Sequence, residues 1–209
     1  MSTQQLAHAF TLANAEFVKE AHLVSQMPED LGAEIAFAGR SNAGKSSVVN
    51  TLCNRRKLAR TSRTPGRTQQ LVIFEFADNR RIVDLPGFGF AKVSKSKRDH
   101  WAYEIPRYFE TRRSLIGLIL VVDSRHRLKE QELEILEWCR IADLPVLLLL
   151  NKCDKLNQQQ TAEVLRDLDH DVDRSNDGIT AQLFSATARR GVDPALAVIA
   201  SWFGPHVTD

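Results

Sequence analysis

Gly39-Arg40-Ser41-Asn42-Ala43-Gly44-Lys45-Ser46 has the spacing G-x-x-x-x-G-K-[ST] of a phosphate-binding P-loop. Glycines at both ends let the backbone curl, so that successive N–H groups point inward at a polyphosphate. Lys45 places a positive charge on the β- and γ-phosphates, and the Ser46 hydroxyl can ligate Mg²⁺. A helix opening after Gly44 adds its positive dipole end. Residues 34–38 read as a short buried strand and residues 47–52 as a helix, the context that separates a P-loop from a chance Gly/Ser-rich loop. The motif specifies a nucleoside triphosphate without saying which one.

Three further motifs follow apolar runs, as ligand-binding loops do at the carboxyl ends of strands in a doubly wound sheet. Asp84-Leu85-Pro86-Gly87 places an aspartate where Mg²⁺ can be held through water, and a glycine whose N–H can approach a γ-phosphate. Asn151-Lys152-Cys153-Asp154 points to guanine. Guanine offers two adjacent donors that a carboxylate such as Asp154 accepts, whereas adenine would leave a buried Asp154 unpaired. The Lys152 stem can lie over the base, and Asn151 can tie the loop to its neighbours. Phe184-Ser185-Ala186 is a weak motif that gains meaning by position, with the Ala186 N–H as a donor for the guanine O6.

These loops need a sheet to carry them. Residues 71–76 and 81–84 read as an antiparallel hairpin, and 115–123 and 146–150 as continuous apolar strands buried on both faces. Residues 180–184 form the last strand. Helices are expected over 98–109 (with Pro106 kinking it or ending a turn), over 129–141 with Leu133, Leu136 and Arg140 marking its face, and over 158–169. A final helix has Asp193 as its cap and Pro194 in its first position. Strands alternating with helices imply an α/β fold, a mostly parallel central sheet with helices on both faces. Residues 1–30 read as an N-terminal arm packed on the domain, with 17–24 extended or irregular, residues 31–204 as the nucleotide-binding domain, and 205–209 as a short tail.

The chain has 209 residues, a length that suits one large domain. Three cysteines without metal-type spacing read as reduced thiols of a cytoplasmic protein. No secretory signal is visible, and the apolar run at 145–150 is too short to span a bilayer. The net charge of +2 is unevenly spread: residues 40–113 hold 17 Lys/Arg against 6 Asp/Glu, and the rest of the chain 11 against 20. Such a split either marks a basic surface for a polyanion or scatters around the folded domain.

Taken together, the P-loop with Ser47, Thr64-Pro65-Gly66-Arg67-Thr68-Gln69, Asp84-Leu85-Pro86-Gly87-Phe88-Gly89 and Asn151-Lys152-Cys153-Asp154 resemble the EngB (YihA/YsxC) family of bacterial ribosome-assembly GTPases, over roughly residues 17–203. That family usually carries Thr-Lys-x-Asp in its base-recognition loop. Asn151 is the commoner residue among GTPases generally and leaves guanine specificity undisturbed. The resemblance implies a P-loop, Ras-like G domain binding GTP and GDP with Mg²⁺. It implies that Thr68 is the switch threonine joining Ser46 on the metal, which Asp84 holds through water, with Gly66, Arg67, Gln69 and Gln70 beside it near the nucleotide. Thr64 is the rival for this role, and Thr68 is preferred. A γ-phosphate with its Mg²⁺ can order such a loop until hydrolysis releases it.

Ras-like enzymes orient the attacking water with a glutamine just after Asp-x-x-Gly. Here that place holds Phe88, so intrinsic hydrolysis is expected to be slow, with Lys45, Thr68 and Gly87 as the remaining catalytic set. Resemblance to potassium-activated relatives makes Asn42 a K⁺ ligand. The alternative is that Asn42 simply caps the loop. Basic residues crowd both expected switches: Arg55, Arg56, Lys57, Arg60, Arg63 and Arg67, then Lys92, Lys95, Lys97 and Arg98, with Trp101, Tyr103 and Tyr108 following. They suit structured RNA. The resemblance implies the large ribosomal subunit and its rRNA as partner, with links to cell division and septation; no DNA or membrane partner is expected, and the chain is expected to be a monomer. A regulatory switch on a protein effector and a nucleotide-gated RNA-binding module without turnover are the competing readings.

Overall fold

The computed structural model describes residues 10–59, 70–89, 95–172 and 178–204, and of residues 95–102 the backbone. In chain order the elements are β1 (Glu16–Ala21), β2 (Ala33–Gly39), α1 (Lys45–Leu52), β3 (Leu71–Ala77), β4 (Arg80–Asp84), α2 (Lys95–Thr111), β5 (Leu115–Asp123), α3 (Glu130–Ile141), β6 (Val146–Asn151), α4 (Gln158–Asp171), β7 (Ile179–Leu183) and α5 (Val192–Trp202). Short 3₁₀ turns cover Val24–Gln26 and Cys153–Lys155.

The seven strands form one sheet in the order β1-β3-β4-β2-β5-β6-β7. The β1–β3 and β3–β4 pairs are antiparallel and all others parallel. The apolar runs of β5 and β6 are buried along nearly their whole length because alternate residues feed opposite cores. Leu118, Leu120, Leu148 and Leu150 pack with Ile105 and Tyr108 of α2 and Ile135 and Cys139 of α3. Ile119, Val121, Leu147 and Leu149 pack on the other face with Val48 of α1 and Ala195 and Ile199 of α5. The fold is the expected α/β sheet covered on both sides.

Several elements differ in detail. Of residues 17–24, expected to be extended or irregular within an arm, 17–21 belong with Glu16 to an edge strand of the sheet, with a register shift between Phe17 and Lys19. Helix α2 begins at Lys95 and runs through Pro106 to Thr111. On α3 the buried face is Glu132, Ile135, Leu136 and Cys139, whereas Leu133 is exposed. Glu132 lies inside because its carboxylate accepts the Lys129 N–H at 2.8 Å and closes the helix start. The cap of α5 is Gly191, not Asp193, and Pro194 stands third in the helix. Gly191 has φ +80° and supplies the left-handed turn that Asp193 was expected to replace with a side-chain cap.

At the amino end of β2, the buried Glu34 carboxylate accepts Arg112 Nε at 2.8 Å, Arg112 Nη2 at 3.1 Å and the Tyr108 hydroxyl at 3.0 Å. Arg112 Nη1 reaches the Pro28 carbonyl at 2.9 Å, and Asp30 accepts the Ser114 N–H at 2.9 Å. Burial and the neighbouring Glu34 push the Tyr108 phenol well above its usual range. This cluster fastens the end of α2 to β2 and to residues 28–30, at the opposite end of the strands from the motif loops.

Candidate functional site

The P-loop, residues 84–89, residues 151–154 and residues 184–186 converge at the carboxyl ends of β2, β4, β6 and β7. Gly44 stands at the head of α1 with φ +94°, and a Cβ there would lie 2.4 Å from Asn151 Nδ2, so only glycine lets the two loops meet. Asn151 joins three segments. Its Nδ2 donates to the Ala43 carbonyl at 2.8 Å, and its Oδ1 accepts the Ala186 N–H at 3.1 Å. The expected tie is therefore present. The Ala186 N–H, expected to serve the guanine O6, is directed to Asn151 instead, because the amide oxygen faces it once the amide nitrogen is held by the P-loop.

Lys45 is buried and its ammonium pairs with the buried Asp84 carboxylate, which brings the P-loop lysine and the Walker-B-type aspartate together. Ser46 is half-buried in the first turn of α1. A serine hydroxyl and a carboxylate are hard oxygen donors and fit Mg²⁺. The Lys152 ammonium contacts the Asn42 carbonyl and donates to Asp123 Oδ2 at 2.9 Å, stretching its stem across the mouth of the P-loop. Cys153 is buried, and its N–H donates to the Phe184 carbonyl at 3.1 Å. Ser185 Oγ donates to Asp154 Oδ1 at 2.6 Å, and Lys155 pairs with the other Asp154 oxygen at 3.2 Å. The Ser185 hydrogen bond, helped by Lys155, holds the Asp154 carboxyl below its ordinary range, so it is an acceptor at neutral pH. Asp154 is exposed, not buried as expected, because it sits on the 3₁₀ turn outside the sheet.

Leu85 and Pro86 are buried and Gly87 half-buried behind Asp84. Phe88 is 4% exposed and packs in the main core, so its ring faces protein and presents no polar atom to a water. Asn42 is exposed with φ +69°. Gln70 makes a 2.6 Å side-chain hydrogen bond with His22. Arg55, Arg56 and Lys57 are exposed, whereas Tyr108 is fully buried and structural. Thr64, Gly66, Arg67, Thr68, Gln69, Arg60, Arg63 and Lys92 lie outside the described residues, as do the side chains of Lys95, Lys97, Arg98 and Trp101.

The sequence profile of the 50S ribosome-binding GTPase family matches residues 34–152, and that of the elongation factor Tu GTP-binding domain residues 109–205. A "Probable GTP-binding protein EngB" of Xylella fastidiosa is 48% identical over 191 residues, 91% of this chain and 94% of that protein. Its counterpart in Xanthomonas euvesicatoria is 45% identical over 94% of this chain and 95% of the relative. The chain belongs to the EngB family of GTP-binding proteins.

A crystal structure of a probable GTP-binding protein engB superposes with a TM-score of 0.67 at 27% identity, covering 82% of this chain and 98% of the other. Era in complex with MgGDPNP and a 16S ribosomal RNA fragment shares the fold, with a TM-score of 0.62 over 81% of this chain and 56% of that one, at 21% identity.

One site residue of this EngB chain escapes motif reading. Asp123 ends β5, between the P-loop strand and the base-loop strand, and accepts Lys152 and, in a bidentate pair, Arg125 at 2.8 and 2.7 Å. Burial raises its proton affinity, but the hydrogen bonds from Arg125 and Lys152 outweigh it and hold the carboxyl well below the usual range. The rule that ligands gather at the carboxyl ends of strands would have found it.

Proposed function

We propose that this EngB protein hydrolyses GTP slowly and acts as a nucleotide-dependent switch in assembly of the large ribosomal subunit, in the cytoplasm and in support of cell division and septation. The observation that carries the reading is the single constellation in which Asn151 fastens the P-loop to the Asp154–Ser185 base loop, in a chain whose profile match is to 50S ribosome-binding GTPases. When bound, Mg²⁺ neutralises phosphate charge; Ser46 would ligate it and Asp84 would hold it through water, with Thr68 as the expected second protein ligand. Lys45 supplies a fixed positive charge for the β/γ-phosphates, and the Gly87 N–H is a donor for the γ-phosphate. Phe88 supplies no means of orienting water, which supports slow turnover and a partner or cation that assists. The exposed Arg55, Arg56 and Lys57 support docking on rRNA phosphates.

The test is sedimentation of large-subunit particles with the protein in GDP or in a non-hydrolysable GTP analogue. Co-sedimentation in the analogue, lost in GDP and in high salt, is the expected result. A salt-insensitive protein partner without particle binding would point instead to an effector switch. Asn42 as a K⁺ ligand predicts faster GTP turnover in KCl than in NaCl at equal ionic strength, and equal rates would remove that role.

A further inference from the structure

The pairing of β2 with β4 continues beyond the strands. The Leu85 N–H donates to the Phe37 carbonyl at 2.9 Å, Arg40 and Phe88 form an isolated parallel bridge, and the Ser41 N–H donates to the Phe88 carbonyl at 2.9 Å. The Phe88 ring anchors this extension in the core. The Arg40 side chain then closes over its end. Arg40 Nη2 donates to the Gly89 carbonyl at 3.4 Å, and a Cβ on Gly89, whose φ is +79°, would lie 2.8 Å from Arg40 Cζ. The guanidinium therefore lies flat against the open face of that glycine. Arg40 also lines, with the buried Glu132, a cavity of about 210 Å³ between the P-loop and α3, and its positive charge acts on that carboxylate. Arg40 is thus placed between the loop that cradles phosphates and the loop that carries Gly87.

We infer that Arg40 is a positioning residue: its guanidinium holds residues 87–89 against the P-loop, so that the Gly87 N–H stands ready for the γ-phosphate. The inference rests on the GTP-switch reading above. The charge-assisted hydrogen bond to the Gly89 carbonyl holds the guanidinium over residues 87–89. GTP and GDP differ at the γ-phosphate alone, so a residue acting through Gly87 changes the ratio of their affinities. A residue that merely supported the fold would weaken both equally.

The experiment is titration of the full chain with fluorescent GDP and with a fluorescent non-hydrolysable GTP analogue, each at fixed Mg²⁺. Arg40→Ala is expected to weaken the analogue about tenfold more than GDP. Arg40→Lys, which keeps a charge and a donor, recovers most of that ratio. Gly89→Ala, whose methyl meets the guanidinium and also strains the left-handed backbone there, shifts the ratio in the same direction, and the double variant is no worse than Gly89→Ala alone. An Arg40→Ala ratio equal to wild type, or equal losses for both nucleotides, overturns the inference while leaving the GTP-switch reading intact. Wild-type protein that binds neither nucleotide overturns both.

Discussion

Asn151 has both ends of its amide occupied by the protein, on Ala43 and Ala186, so it builds the site without needing to touch a base. On the GTP reading proposed above, discrimination between bases falls to Asp154. Its two carboxylate oxygens match the two donors on one edge of guanine, and Ser185 fixes the orientation of the group. Asp154→Asn replaces an acceptor with an amide donor. Affinity for GTP should fall by about 100-fold, and XTP, which carries a carbonyl where guanine has its amino group, should bind better than GTP. Competition titration with the two triphosphates checks this; unchanged GTP preference would mean that base choice lies elsewhere. Motifs of this kind are legible in a sequence because neighbouring residues in one loop do the chemistry. Asp123 belongs to no motif, and only its place at the end of a strand points to it; the Arg40–Gly89 contact was not legible, because the sheet brings Gly89 to Arg40 from a distant stretch.

At the level of elements, the cluster around Glu34 carries the sharpest energetic consequence. Glu34 is fully buried and depends on Arg112 and Tyr108, more than seventy positions away, for its hydrogen bonds. Arg112→Ala strands a buried carboxylate and should cost about 3–5 kcal/mol, a large share of the about 5–15 kcal/mol typical of a domain. Urea unfolding measures it, and a loss below about 1 kcal/mol would show that Glu34 finds another partner or takes up a proton. No local pattern announces this cluster: residues 34–38 read as a buried strand, but nothing near Glu34 in the sequence names the partners its carboxylate needs. Strand β1 reads from the sequence only as extended or irregular chain. Five of its six residues are exposed, so it lacks the alternation that marks a half-buried strand. By contrast β5 and β6 were legible from their unbroken apolar runs, and the periodic face of α3 was displaced only because Glu132 turns inward to close the helix.

Across the whole molecule the fold separates two jobs along the strand direction, with the nucleotide loops at one end of the sheet and the Glu34 cluster at the other. The alternation of strands and helices was enough to foresee a covered, mostly parallel sheet, and the edge order required the structure. One packing contact then bears on how the protein comes into being. The rings of Phe10 and Phe203 lie 5.5 Å apart, and both meet Phe76, at 5.8 and 5.4 Å. Their closure links residues separated by nearly all of the described sequence, and such a contact bears a high entropic cost before it is rewarded. During synthesis, β2, the P-loop and β6 emerge well before Phe203, so the motif loops exist before the aromatic cluster that seals β3 against α5. Completion of the fold is therefore tied to the last turn of α5, and a nascent chain lacking it carries every nucleotide motif without the seal behind them.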